Sequence, residues 1–266
     1  MQNNKKVAIT STNSLGDNMA QQNIFDNDVF FEGYKALRSN TVNANNLFEI
    51  PALFSMLPNL KGKRVLDLGC GFGEHCKLFV DGGAESVVGV DISSKMLEIA
   101  QKENSHPQIK YIHMPMEDIK ELHDTFDIVV SSLALHYIEE FSDIAKSIYH
   151  LLDTNGVFVF SQEHPLVTCH SGGDRWTRDA NGEKIHVNIA NYGVSGERKT
   201  RWFVDNIKIY HRTFSEIVNT LSKAGFTIEQ MIEPLPTDEL LKKHPEYRDL
   251  LHKPDFLLLK VRKANS

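Results

Sequence analysis

The 266-residue chain sets 29 Lys and Arg against 35 Asp and Glu, a formal net charge of −6, and 41% of it is hydrophobic, enough for one large domain or a domain with an added segment. The negative balance argues against a nucleic-acid partner, whose phosphates need a basic face; no apolar run reaches the roughly 20 residues of a membrane helix, and the N-terminus lacks the apolar stretch of a signal peptide. Cys70, Cys76 and Cys169 are scattered with no CxxC pair, which reads as reduced thiols in a cytoplasmic protein without a zinc site or disulfide framework.

In chain order, residues 1–22 are polar and poor in aromatics and read as a flexible tail. Residues 23–60 carry two segments with helical apolar spacing, Asn27–Arg38 and Asn43–Met56, the second interrupted by Pro51. From residue 61 strands and helices alternate. Arg64–Leu68 reads as a strand, Glu74–Val80 as a helix and Ser86–Ile92 as a buried strand. Ser93 or Ser94 caps a helix that runs to Glu103. Further strands are expected at Ile109–Met114, from Phe126 ("FDIVVSSLAL") and in "NGVFVFSQEH", with a helix over Phe141–Leu152 before the last of these. This alternation implies βαβ units and a parallel sheet covered on both faces. It breaks at residues 165–210, an aromatic and charged stretch that reads as an inserted cap of hairpins and loops. It returns with a helix between Thr213 as N-cap and Gly225 as C-cap, then a sixth strand and a seventh in "DFLLLKVRK".

The stretch "VLDLGCGFGEHCKLF" (Val65–Phe79) joins a strand to a helix through Gly69, Gly71 and Gly73. A dinucleotide fingerprint, GxGxxG, would need glycine where Glu74 stands, for close helix–strand packing. Asp67, two residues before the first glycine, would repel a pyrophosphate but favour a cofactor with a cationic near end and no phosphate. S-adenosylmethionine has that chemistry, and glycines let the backbone approach it. Asp91, at the end of the second strand, can accept both ribose hydroxyls, a contact that NAD and S-adenosylmethionine sites share. In "MPMEDI", Met116 can cover an adenine face, or simply pack in the core. Glu117 and Asp118 can accept from the adenine amino group, or Asp118 can cap a turn.

VLDLGCGFG, VVGVDIS, MPMED and FDIVVSSLALHYI, in this order and spacing, resemble the class I S-adenosylmethionine-dependent methyltransferases over about Gly62–Phe160. "YKALRSNTVNANNLFEIPAL", "EHP" and "YHRTFSEI" resemble a bacterial small-molecule subgroup of them. The resemblance implies an α/β, Rossmann-like seven-stranded sheet of order 3-2-1-4-5-7-6 with the last strand antiparallel, residues 23–60 as a helical lid, and residues 61–266 as the methyltransferase domain. It implies cofactor contacts at Asp67, Gly69, Cys70, Gly71, Asp91, Ile92, Met96, Met116, Glu117, Asp118, Ser132, Leu133 and Tyr137. Tyr34 and Arg38, four apart on one helix face, would join them from the lid. There Arg38 would hold the methionine carboxylate in a bidentate fork, unless it is a surface residue.

Methyl transfer is an in-line displacement at an activated carbon, so positioning does much of the work and a base is needed only for an acceptor that holds its proton. His164 in "SQEHP" is the first candidate base, His136 in "ALHYI" the second and His211 in "YHRT" the third. Each could instead be a structural histidine. "SSLA" replaces the NPPY-type tetrapeptide of amino-directed nucleic-acid methyltransferases, and no Pro-Cys pair supplies a nucleophile for pyrimidine C5. Trp176, Trp202 and Tyr192, with Arg175, Arg178, Arg198 and Arg201, suit a planar, polar or anionic small molecule, or else form a solvated hairpin. The expected activity is methyl transfer from S-adenosylmethionine to a small-molecule acceptor, leaving S-adenosylhomocysteine. The alternatives are a non-catalytic S-adenosylmethionine-binding protein, a methyltransferase acting on protein or RNA, and, least favoured, a nicotinamide-dependent oxidoreductase.

Overall fold

A computed structural model describes residues 22–264, so all but Gln22 of the expected tail lies outside the described residues. Helix α1 (Asp28–Ser39) begins on Asn27, whose side chain accepts from the Phe30 N–H. A π-helical turn (Asn45–Glu49) runs straight into α2 (Ile50–Met56). Pro51 therefore does not interrupt the second segment. It sits in the first turn of α2, where a missing N–H costs little.

The alternating region follows as β1 (Arg64–Leu68), α3 (Glu74–Asp81), β2 (Ser86–Asp91), α4 (Ser94–Glu103), β3 (Ile109–His113), β4 (Phe126–Ser131), α5 (Phe141–Leu151) and β5 (Leu152–Glu163). Ser93 caps α4 by accepting from the Met96 N–H. The insertion holds α6 (Pro165–Thr168) and two antiparallel hairpins, β6 (Trp176–Arg178) with β7 (Lys184–Val187) and β8 (Gly196–Thr200) with β9 (Ile207–His211). Helix α7 (Phe214–Lys223) opens with a reciprocal capping box between Thr213 and Glu216. Then come β10 (Phe226–Ile232), α8 (Asp238–Lys243) and β11 (Phe256–Lys263). Helix α8 and the 3-10 turn after it (Pro245–Leu251) are not anticipated from the sequence.

The seven sheet strands lie in the order β3-β2-β1-β4-β5-β11-β10. Counted along the sheet's own strands this is 3-2-1-4-5-7-6, and β11 runs antiparallel to both neighbours. Side-chain alternation divides the core. Leu66, Leu68, Phe158 and Phe160 face α5 and α7, while Val65, Val157 and Val159 face α2 and α3. Each large apolar side chain so buried contributes roughly 1.5–3 kcal/mol. The C-terminal ends of β1, β2, β4 and β5 come together at one sheet edge, where the order turns from β1 outward in both directions and a crevice opens.

Candidate active site

The turn after β1 is built by backbone conformation. Gly69, Gly71 and Gly73 all have positive φ (73°, 53° and 75°), which side chains disfavour. The Gly69 and Cys70 N–H groups donate to the Val90 carbonyl at 2.8 and 3.0 Å, tying the turn to β2. The three glycines have different tasks. A Cβ on Gly69 would stand 2.5 Å from Ala134 Cβ, and one on Gly73 would collide with Tyr111 and crowd Ala100. Gly73 thus supplies the close helix–strand packing that Glu74 does not. A Cβ on Gly71 would meet nothing within 4 Å, because Gly71 faces a cavity of about 490 Å³.

Asp91 lines that cavity. Its Oδ2 accepts from the Gly71 N–H and its Oδ1 from the Ser93 N–H, both at 2.8 Å. Burial raises its pKa, and the two N–H groups pull the other way. Asp67 is placed differently from the expectation. It lies on the α2/α3 face of β1, buried behind the turn, with the Cys76 thiol at 3.4 Å as its partner, and it is not part of the cavity wall. Burial pushes its carboxyl up to about 7.

The N-terminal helices close one side. Tyr34 and Arg38 both line the cavity, and Arg38 pairs with Glu74. Burial disfavours the Arg38 charge, but Tyr34 and Glu74 outweigh it and raise its pKa. Sequence reasoning missed Glu49. Its carboxylate, fully buried in the π turn, accepts from the hydroxyls of Ser132 (2.9 Å) and Ser161 (2.5 Å). Burial raises its pKa, and the hydroxyls oppose that. Ser161 in turn accepts at Oγ from the Leu133 N–H at 3.0 Å, and its carbonyl accepts from the same group at 3.1 Å. Leu133 has a φ of 51°, a strained value for a branched residue, and this network holds it in the cavity wall. A glutamate within an apolar helical pattern was the one available sign.

Ile92, Met96, Met116 and Glu117 line the side next to Asp91, and Cys70, Ser132 and Tyr137 also reach the cavity. Asp118 does not; it belongs to the first turn of the 3-10 helix Met116–Glu121, with its N–H bonded to Pro115 O.

The histidines divide. His164, only 1% exposed, does not reach the cavity. Its Nδ1 accepts from the Leu166 N–H at 3.1 Å, capping α6, so its Nε2–H donates to Glu233 at 2.9 Å. Burial lowers its pKa against the pull of Glu233. His211 is equally committed, with Thr168 Oγ1 at 2.8 Å from Nδ1 and the Tyr192 carbonyl at 2.9 Å from Nε2. With both nitrogens bonded inside the protein, neither ring faces an acceptor, which corrects the first- and third-ranked bases. His136 does line the cavity. Its Nδ1 receives the Glu163 N–H at 3.4 Å, and burial, aided by Arg212, pushes its pKa down to about 3. It is a neutral ring with an Nε2–H to donate.

The insertion contributes less than expected. Trp202 lines the cavity, stacked on Phe203. Tyr192 instead accepts at its hydroxyl from the Phe214 N–H. Arg178 and Arg198 bond backbone carbonyls and Arg201 pairs with Asp205. Arg175 and Trp176 line a second cavity of about 330 Å³, which shares Glu163 and Phe256 with the first.

The family described as methyltransferase domain matches residues 66–160. An uncharacterised protein of Haemophilus influenzae is 42% identical over 247 residues, 91% of this chain and 97% of that one. The crystal structure of an S-adenosylmethionine dependent methyltransferase from Mesorhizobium loti is 38% identical with a TM-score of 0.73, covering 83% of this chain and 98% of that one. A solved chain from Listeria monocytogenes is 40% identical with a TM-score of 0.76, over 82% and 97%.

Proposed function

This chain belongs to the S-adenosylmethionine-dependent methyltransferases, and we propose that its acceptor is a small molecule, methylated in the cavity at the sheet edge. When bound, S-adenosylmethionine supplies an electrophilic methyl carbon. The residues fit it. Gly71 leaves open space where a side chain would intrude, and Asp91 keeps free lone pairs for the ribose hydroxyls. Ile92, Met96 and Met116 offer apolar contact to the adenine, and Glu117 an acceptor for its amino group. Arg38 would hold the methionine carboxylate. Residues 23–60 serve as the lid and residues 61–266 as the catalytic domain.

The observation that carries the small-molecule reading is the form of the cavity. About 490 Å³ must take cofactor and acceptor together, under a roof of Phe25, Tyr34, Trp202 and Tyr210. The net charge of −6 supports the same reading against nucleic acid. Among the described residues no helix is long and apolar enough to cross a membrane. With the three cysteines free, we read the setting as cytoplasmic. The test has two parts. Calorimetry with S-adenosylhomocysteine should show binding, and labelled methyl from S-adenosylmethionine should appear in a small-molecule pool of cell extract. Label found only in RNA or protein would overturn the small-molecule reading; binding without any transfer would indicate a non-catalytic binder.

A further inference from the structure

We infer, resting on the methyltransferase reading above, that Glu163 takes the proton from the methyl acceptor and that this acceptor is an amine. Glu163 is the last residue of β5, paired in register with Phe256, and its carboxylate faces the shared wall of the two cavities. Among the described residues that carboxylate has no hydrogen-bond partner, although the Glu163 N–H meets His136. The residue is half-buried in that wall, and burial pushes its pKa up to about 7. Arg175 and Lys253 pull that value down, and Asp255, which pairs with Lys253, pushes it up. Tyr137 and the neutral His136 stand beside it on the cavity side.

The surrounding charge selects the acceptor. Glu139 is a second carboxylate at this end. The cations are engaged elsewhere: Lys208 pairs with Glu197 at 3.2 Å, Arg38 with Glu74, and Arg212 with the carbonyls of Leu135, Ile138 and Glu139. Arg175 lines the second cavity, not the first. An anionic acceptor in the first cavity would meet the carboxylates of Glu163 and Glu139, with Arg175 and Lys253 standing behind Glu163 on the side of the second cavity, and a phenol would have to become an anion beside a carboxyl group. An ammonium differs on both counts. It is drawn to the carboxylate and to a cavity lined by the aromatic residues Tyr34, Tyr137, Trp202 and Tyr210. Once desolvated, the ion pair gives way to neutral amine and neutral acid, because low dielectric penalises both charges.

The step balances. One ammonium proton passes to the Glu163 carboxylate and frees the nitrogen lone pair. That pair forms the N–C bond as the C–S bond breaks, with its electrons left on sulfur in S-adenosylhomocysteine. The methylated product departs as an ammonium, and Glu163 returns its proton to solvent. The Nε2–H of His136 is placed to orient an acceptor atom of the same molecule.

Three measurements on the full-length protein test this, with Glu163→Gln and, should that variant fold poorly, Glu163→Asp. The first is the thermal midpoint of the ligand-free protein against pH. A pKa raised in the folded state gives stability that is present at low pH and lost as pH rises from the ordinary carboxylate range, 4.5, to about 7. The wild type should lose midpoint across that window more than Glu163→Gln does. The second is calorimetry on the S-adenosylhomocysteine-loaded protein with 2-phenylethylamine and 3-phenylpropanoate. The amine should bind, the acid should not, and Glu163→Gln should weaken the amine at least tenfold with S-adenosylhomocysteine affinity unchanged. Glu163→Asp should recover part of the loss. The third is methyl transfer to arylalkylamines, whose rate should lose its rise near pH 7 in Glu163→Gln. Preference for the acid, equal amine affinity in Glu163→Gln, or no amine bound while S-adenosylhomocysteine binds normally would each overturn the inference and leave the methyltransferase reading intact. Absence of S-adenosylhomocysteine binding in the wild type would remove both.

Discussion

The two halves of the cavity keep their shape by different means. On the side of the glycine turn, the wall combines the backbone of the turn with side chains from consecutive segments of the chain, Gly69 to Glu117. Asp91 is held by two N–H groups from residues 20 and 2 positions away, and the turn is bonded to β2 through Val90. On the other side, the wall is made of side chains drawn from α1, the ends of β4 and β5, and the insertion, far apart in the chain. Its ties are long-range, such as Glu49 to Ser161 across 112 residues. A local wall can be written as a short motif and serve one unvarying ligand. A wall of distant side chains can be altered piece by piece, which suits the end proposed here for the acceptor.

Four variants break or sharpen that contrast. Gly71→Val is expected to have the largest effect. It places a branched side chain at a φ of 53° and into the open cavity, so S-adenosylhomocysteine affinity should fall more than about 100-fold in calorimetry while the circular dichroism spectrum holds. Near-normal binding would mean that the turn does not form the cofactor wall. Asp91→Ala would remove the ribose contacts proposed for Asp91 and loosen the Gly71 N–H, so a loss of at least about tenfold is expected. Unchanged affinity would remove the ribose assignment.

Arg38→Met stands at the seam between the halves. It should weaken S-adenosylmethionine by about tenfold and decarboxylated S-adenosylmethionine hardly at all. Equal losses would return Arg38 to a purely structural partner of Glu74. The smallest effect on binding is expected from His164→Asn. Asparagine can still cap α6, but the bond to Glu233 is lost, so the thermal midpoint should fall by a few degrees for a cost of about 1–2 kcal/mol. Cofactor affinity and turnover should stay within about a factor of two. A drop in turnover of 10²-fold or more would restore His164 as the base and overturn its placement outside the cavity.

The alternation of strands and helices, the hairpins of the insertion and the glycine turn were legible in the chain itself, because period-two apolar runs, capping residues and a glycine turn act between near neighbours; the order of the strands in the sheet came from the family resemblance. Gly69, Gly71, Asp91, Met116 and Glu117 all line the cavity at the ends of the strands. The acceptor side was not legible in the same way. "SQEHP" puts Glu163 and His164 side by side, and alternation along an extended strand sends adjacent side chains to opposite faces. Which of the two meets the cavity depends on how β5 sits between β4 and β11 and on the residues that cover each face. The tertiary structure turned His164 inward to Glu233 and left Glu163 at the cavity. It also moved Asp67 behind the turn and brought Glu49 to Ser161. Local sequence determined what depends on neighbours three or four residues apart, whereas burial and charge at the acceptor end are sums over distant segments, and only the folded chain brings those together.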